Sequence, residues 1–144
     1  MVQTTNIIKG GSFLIEDVDV NRVFTPEDFT DEHKMIAQTT VDYVETEVKP
    51  VVENLENHEF EHSVRLLKKA GELGLLAADI PEEYEGLGLD KISSALIGEK
   101  MSPAGGFSIT HGAHVGIGSL PIVLFGNHEQ KSKYLPKLAS GELL

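Results

Sequence analysis

At 144 residues the chain suits one domain, large enough to bury about 70% of its unfolded surface. With 40% hydrophobic and 24% charged residues it has an ordinary globular mixture, and the absence of cysteine excludes a disulfide framework, a thiol nucleophile and any thiolate metal centre. The net charge of −11 lies almost wholly in residues 1–62 (14 acids against 4 bases), and residues 63–144 are near neutral (9 against 8), which argues against a nucleic-acid partner.

Residues 1–29 read as an irregular arm, with turn signals at Gly10-Gly11 and Asn21 and short apolar pieces at Phe13–Ile15, Val18 and Val20. Met1–Gly11 has one lysine and no long apolar run, so it is no secretory signal, and it lacks the arginines of a mitochondrial presequence. A cytoplasmic location is expected. Thr25-Pro26 reads as a helix start.

A first long helix is predicted from about Asp31 to Val48, with Ile36, Thr40, Val41, Val44 and Val48 on one face, ended or bent by Pro50. A second runs from about Glu59 to Leu73, burying Val64, Leu67, Ala70 and Leu73, with Gly74 as its left-handed cap. Glu56 and Asn57 read as linker. A loop over Ile80–Gly88 follows, then a third helix from about Asp90 to Met101 with Ile92, Ala95 and Leu96 inward. Pro103–Gly126 has no charged residue over 24 positions, long enough to cross a bilayer, but six glycines, two prolines and two histidines dilute it. It is expected to be a fourth helix (Phe107–Gly118, continued by Pro121–Phe125) of a soluble protein, with neighbours all round. Asn127 with Gln130 forms a capping box, opening a short helix to Tyr134, and Pro136 opens another. No stretch shows the period of two expected of strands. The fold class is all-α, a bundle of about five or six helices. Its end at Glu142–Leu144, without a cap or polar tail, suggests a piece of something larger.

Three features carry possible chemistry. His58-Glu59-Phe60-Glu61-His62 matches the zinc-peptidase pattern, which needs both imidazoles on one helical face, Glu59 as base and a third ligand such as Glu82 or Glu83. The acidic setting argues instead for the first turn of the second helix. His111 and His114, three apart with no acid nearby, read as buried or pocket-lining imidazoles. Gly112, Ala113 and Gly116 leave little side chain on one face, and spacing alone favours close helix packing over an open groove. Neither a phosphate loop nor a nucleophile elbow is present.

Leu73-Gly74-Leu75-Leu76-Ala77-Ala78-Asp79-Ile80-Pro81-Glu82-Glu83-Tyr84-Glu85-Gly86-Leu87-Gly88 resembles the acyl-CoA dehydrogenase signature between the second and third helices. Phe125-Gly126-Asn127, Glu129-Gln130-Lys131, Lys133-Tyr134-Leu135-Pro136, Leu138-Ala139 and Gly141-Glu142 are similar to a second motif of that family, in the same order. Ala77 and Glu85 depart from it, standing where glycines are usual; Glu85 is expected to be an exposed turn residue outside any glycine-only conformation. The resemblance covers about residues 30–144, the family's amino-terminal helical domain, and implies a β-domain and a carboxy-terminal helical domain beyond it.

What the resemblance implies is FAD-dependent α,β-dehydrogenation of a fatty acyl-CoA in β-oxidation. In it a glutamate takes the α-proton, hydride passes to the flavin, and electrons go to an electron-transfer flavoprotein. Glutamate and most flavin contacts belong beyond Leu144, so no catalytic or FAD-binding residue is assigned here and the chain alone is expected to be inactive. Aligned on Pro121 and Phe125-Gly126, the acyl-pocket lining is Ile109, Thr110, Ala113 and Ile117, with His114 beside them. This shifts the small-residue face towards a groove and suggests a long-chain substrate. A homo-oligomer is implied, with no membrane span. A non-catalytic helical interaction module and a zinc hydrolase are the alternatives.

Overall fold

The computed structural model describes residues 10–19 and 22–144; residues 1–9 of the expected arm, with its signals at Val20 and Asn21, lie outside them. Among the described residues every regular element is helical. The chain parts into two compact units, residues 1–32 and 33–144.

In the first unit the expected helix start at Thr25 is a single 3-10 turn, Pro26–Asp28. Asp28 Oδ2 accepts from the Thr25 amide at 2.8 Å and from its hydroxyl at 3.3 Å. Phe29 then takes an extended conformation that ends the turn. The Phe24 and Phe29 rings pack at 5.9 Å, and Leu14 and Ile15 are exposed.

The second unit begins within α1 (Asp31–Tyr43). Pro50 does not end the rod. A wide π-type turn, Val44–Val48, and a 3-10 turn, Lys49–Val51, carry it into α2 (Val52–Glu56), so that Glu56, expected as linker, ends a helix. Proline has no amide to donate, and its ring crowds the carbonyl four residues back, here Thr46. Widening the turn that contains Thr46 relieves the crowding without breaking the helix.

Helix α3 (Phe60–Glu72) buries Leu66, Leu67 and Ala70. The expected stripe is thus turned: Val64 is 44% exposed and Leu73 also reaches the surface. Tyr43, itself buried, fixes the rotation by donating its hydroxyl to the Leu66 carbonyl at 2.8 Å. The helix ends on Gly74, at φ +76°, with Gly74 N donating to Gly71 O and Leu75 N to Ala70 O at 3.0 and 2.9 Å. This paired 5→2 and 6→1 closure satisfies two orphan carbonyls.

Helix α4 (Lys91–Met101) buries Ser93, Leu96, Ile97 and Met101, not Ile92 and Ala95. The helix is barely amphipathic, so its rotation is set at its start. The Asp90 carboxylate accepts from the Ser93 amide and hydroxyl at 2.8 and 2.9 Å and from the His33 ring at 2.9 Å. Burial alone would raise the Asp90 carboxyl, but those three donors together hold it below the usual carboxylate value.

A continuous rod, Gly106–Phe125, follows. It comprises α5 (Gly106–Gly112), a second π-type turn (Ala113–Ser119) and α6 (Leu120–Phe125). Again the wide turn holds the residue four before a proline, Ile117 before Pro121. The last helix, α7 (His128–Ser140), opens on the Asn127–Gln130 capping box and runs unbroken through Pro136. Two short helices are therefore one: Leu135, Leu138 and Ala139 are buried on one face and hold it together.

The unit has two apolar clusters. One joins Tyr43, Val48, Leu66, Ile97, Met101 and Phe107; the other joins Tyr84, Leu135, Leu138 and Ala139. The turn after α3 feeds both, Leu75, Leu76 and Ala78 into the first, Ala77 and Ile80 into the second. At roughly 1.5–3 kcal/mol for each large side chain removed from water, this segment ties the two clusters into one stability unit.

Candidate acyl-binding face

The turn after α3 is a clip. Leu87 N, Gly88 N and Leu89 N donate to the carbonyls of Ala77, Ile80 and Ala78 at 3.0, 2.8 and 2.8 Å. Gly86 lies so close to the returning chain that a Cβ there would fall 1.9 Å from the Ile80 carbonyl oxygen. Glu85 is exposed but, against expectation, sits in the left-handed region at φ +62°, closing the Glu82–Tyr84 turn. Tyr84, buried between, meets His128 Nδ1 at 3.2 Å. Asp79 accepts from Ser94 Oγ at 2.9 Å and pairs with Lys91. The signature motif thus fixes where α4 and the rod stand, with the Asp79 carboxylate occupied in holding α4.

The rod divides by face. Inward go Phe107, His111, His114 and Ser119, all buried. The His111 ring donates from Nε2 to the Leu75 carbonyl at 3.1 Å, and His114 Nε2 donates to Leu138 O at 2.9 Å, an orphan carbonyl in the last turn of α7. Burial lowers the His111 pKa, the Leu75 contact opposes this, and His114 adds a small repulsion. Ser119 Oγ closes the wide turn on His114 O at 2.8 Å.

Outward go Ile109 (75% exposed), Gly112, Ala113 and Ile117 (81% exposed), with Thr110 half-buried at the edge. His114 is only 9% exposed and points away from this stripe, so it is not beside the other four; its donor is committed to α7. Nor is the rod covered on all sides as expected. Its length and composition would allow it to cross a membrane, and only 17% of its most apolar window is buried. The small residues do not mark close packing: a Cβ added at Gly112 or Gly116 meets nothing within 4 Å. What the face offers chemically is alkyl surface, one hydroxyl and free space.

The zinc pattern fails on geometry. His58 lies outside α3 at φ +61°, Glu59 caps the helix, and His62 Nε2 reaches Glu59 at 3.4 Å. The two imidazoles therefore do not share a helical face, and among the described residues no group of three or more His, Cys, Asp or Glu could hold a metal. The cavity between α4, α5 and the turn after α3, about 100 Å³ and lined by Leu75, Ile97, Met101 and Val115 with Asp79, Ser94 and His111, is too small to enclose a flavin.

Residues 30–142 match the family model described as acyl-CoA dehydrogenase, N-terminal domain. A probable acyl-CoA dehydrogenase of Bacillus subtilis is 71% identical over 140 residues, which is 97% of this chain and 24% of that protein. The crystal structure of an acyl-CoA dehydrogenase complexed with FAD from Bacillus anthracis superposes with TM-score 0.89 at 72% identity, covering 94% of this chain and 23% of that one. A chain in the structure of the electron transferring flavoprotein of Acidaminococcus fermentans gives TM-score 0.73 at 35% identity, covering 81% and 31%. The chain spans about a quarter of the length of the first two relatives. With the family model spanning residues 30–142 and the same helices in the same order, this chain belongs to the acyl-CoA dehydrogenase family and represents its N-terminal helical domain.

Proposed function

We propose that this chain is the N-terminal domain of a longer FAD-dependent acyl-CoA dehydrogenase and supplies one wall of the pocket for a fatty acyl chain. The lining is Ile109, Thr110, Ala113 and Ile117. The observation that carries this reading is the uncovered stripe on Gly106–Phe125, apolar and without bulk at Gly112, Ala113 and Gly116. Alkyl side chains bind methylenes by excluding water, worth about 0.8 kcal/mol per methylene buried. Such a wall orients the tail and keeps water out. Flavin, when bound by the rest of the enzyme, supplies the two-electron acceptor, and no described residue of this domain is assigned to hold it. The rest of the enzyme, rather than lipid, covers the rod; two prolines and six glycines within Pro103–Gly126 support that choice over a membrane span.

A long acyl chain is the proposed substrate, because Ala113 and its glycine neighbours leave the middle of the wall shallow. Electron-transfer flavoprotein as acceptor, a homo-oligomeric enzyme and a cytoplasmic location complete the proposal; the likeness to a chain in the Acidaminococcus structure supports the first of these. In the whole enzyme, Ala113→Phe is expected to lower kcat/KM for stearoyl-CoA relative to octanoyl-CoA by about tenfold or more, the discrimination that one or two methylenes carry. An unaltered chain-length profile would remove the pocket assignment.

A further inference from the structure

The acyl-binding stripe does not stop at Ile109. At about 100° per residue, Gly106, Thr110, Ala113 and Ile117 fall within about 60° of one another on the rod. Past Thr110, where the stripe reaches the start of the rod, lies a recess of about 380 Å³ between the rod and the α2–α3 junction. Its apolar walls are Leu55, Phe60 and Phe107, and its floor on the rod is Gly106 and Thr110. That volume is within the range of roughly 300–1,000 Å³ found for small-molecule sites.

We infer that this recess receives the terminal methylenes of the longest acyl chains, with Gly106 and Phe60 setting how far a tail extends. The inference rests on the proposed acyl wall and adds a second, deeper segment to it. Two observations point to an occupant. Phe60 lines it 72% exposed, its ring stacked on the neighbouring His58 at 6.2 Å between centroids. Gly106 keeps the floor open without any backbone need for glycine: its φ is not positive, and an added Cβ meets only the flexible Glu56 carboxylate at 3.9 Å. The acids of the lining leave room for an apolar tail only by moving aside: Glu59 is tied to Asn54 at 2.8 Å and to His62, and Glu56, whose carboxylate stands over Gly106, is exposed and swings out into water as a tail enters. The recess ends against α2 and α3, whereas the stripe runs on past Ile117 along the uncovered rod, so an inert tail belongs in the recess and the thioester at the other end.

The test compares Gly106→Phe, Phe60→Ala and Ala113→Phe in the whole flavoenzyme, reading the ratio of kcat/KM for stearoyl-CoA to that for octanoyl-CoA. Gly106→Phe fills the recess and is expected to lower the ratio about tenfold. Phe60→Ala, at an exposed position that tolerates truncation, removes a wall and is expected to lower it severalfold through KM for stearoyl-CoA. If Ala113→Phe lowers the ratio and neither of the other two does, the recess plays no part and the inference is overturned while the acyl wall stands. If Ala113→Phe also leaves the ratio unchanged, both fall. Should Gly106→Phe fail to fold, Phe60→Ala alone decides in the same sense.

Discussion

The turn after α3 and the rod Gly106–Phe125 are both parts of one helical unit, yet they are built in opposite ways. In the turn, Leu75–Ala78 are buried at four successive positions, three backbone bonds clip the returning chain, and glycine stands where nothing larger fits. In the rod, one face is committed to the core by two buried histidines and the other is left bare, with glycines facing empty space. Glycine therefore means two things in this molecule: at Gly86, no room; at Gly106, Gly112 and Gly116, room kept. The first holds the scaffold, and the second belongs to the proposed acyl site.

That contrast can be broken at its strongest point first. Gly86→Ala drives a Cβ into the Ile80 carbonyl and is expected to cost about 3 kcal/mol or more, read as a fall in the denaturant midpoint of the whole protein; a loss below 1 kcal/mol on the order of a surface change would show that the clip gives way. Next, His114→Leu keeps the bulk but leaves the Leu138 carbonyl without its buried donor, for an expected loss of about 1–3 kcal/mol. A neutral result would mean that water replaces the ring.

Acidification sharpens the inner face. The His111 pKa is lowered on folding, so the unfolded chain takes up the proton first as pH falls. The native state then binds fewer protons than the unfolded one, and stability drops as pH falls below about 6.5. His111→Gln, which keeps an amide donor and does not titrate, is expected to flatten the dependence of Tm on pH between about 7 and 5. An equally steep curve in that variant would place the titration elsewhere. Asp90, held below the usual carboxylate value, loses its contribution only at lower pH, as it protonates. The smallest effect belongs to the outer face: Ile117→Ser, at an exposed position, is expected to shift stability by no more than about 0.5 kcal/mol while raising KM for stearoyl-CoA. A large stability loss there would mean that the stripe is packed by the rest of the enzyme and not open to a ligand.

Much of the fold was legible because its signals are local. Gly74 after a periodic stretch reads as a left-handed cap, and Asn127 with Gln130 as a capping box, since each is made by residues within five positions of one another. Helix rotation was less legible. Val64 and Leu66 are equally apolar, and packing of Leu66 into the core with the hydrogen bond from Tyr43, 23 residues earlier, chooses between them. Pro136 misled, because burial of Leu135, Leu138 and Ala139 outweighs one missing amide; at Pro50, expected to end or bend the helix, a wide turn absorbs the ring and the helix does not end. Glu85 could not be placed from its residue type, as the left-handed turn is enforced by the clip around it.

The site divides in the same way. That His111 and His114 are buried follows from two imidazoles in a charge-free stretch, but their acceptors lie 36 and 24 residues away, and so the separation of His114 from the exposed stripe was invisible. The recess at Phe60 had no sequence signal at all, since its walls come from α2, α3 and the rod.

By itself, the sequence determined that this chain is helical, where its caps fall, and which family it belongs to, because caps, turns and motifs are short-range matters of backbone and residue type. The tertiary structure alone decided which face of each helix is covered and which is left open. Those choices are settled by hydrogen bonds and packing between segments far apart in the chain, where residue type has no say until the partners meet.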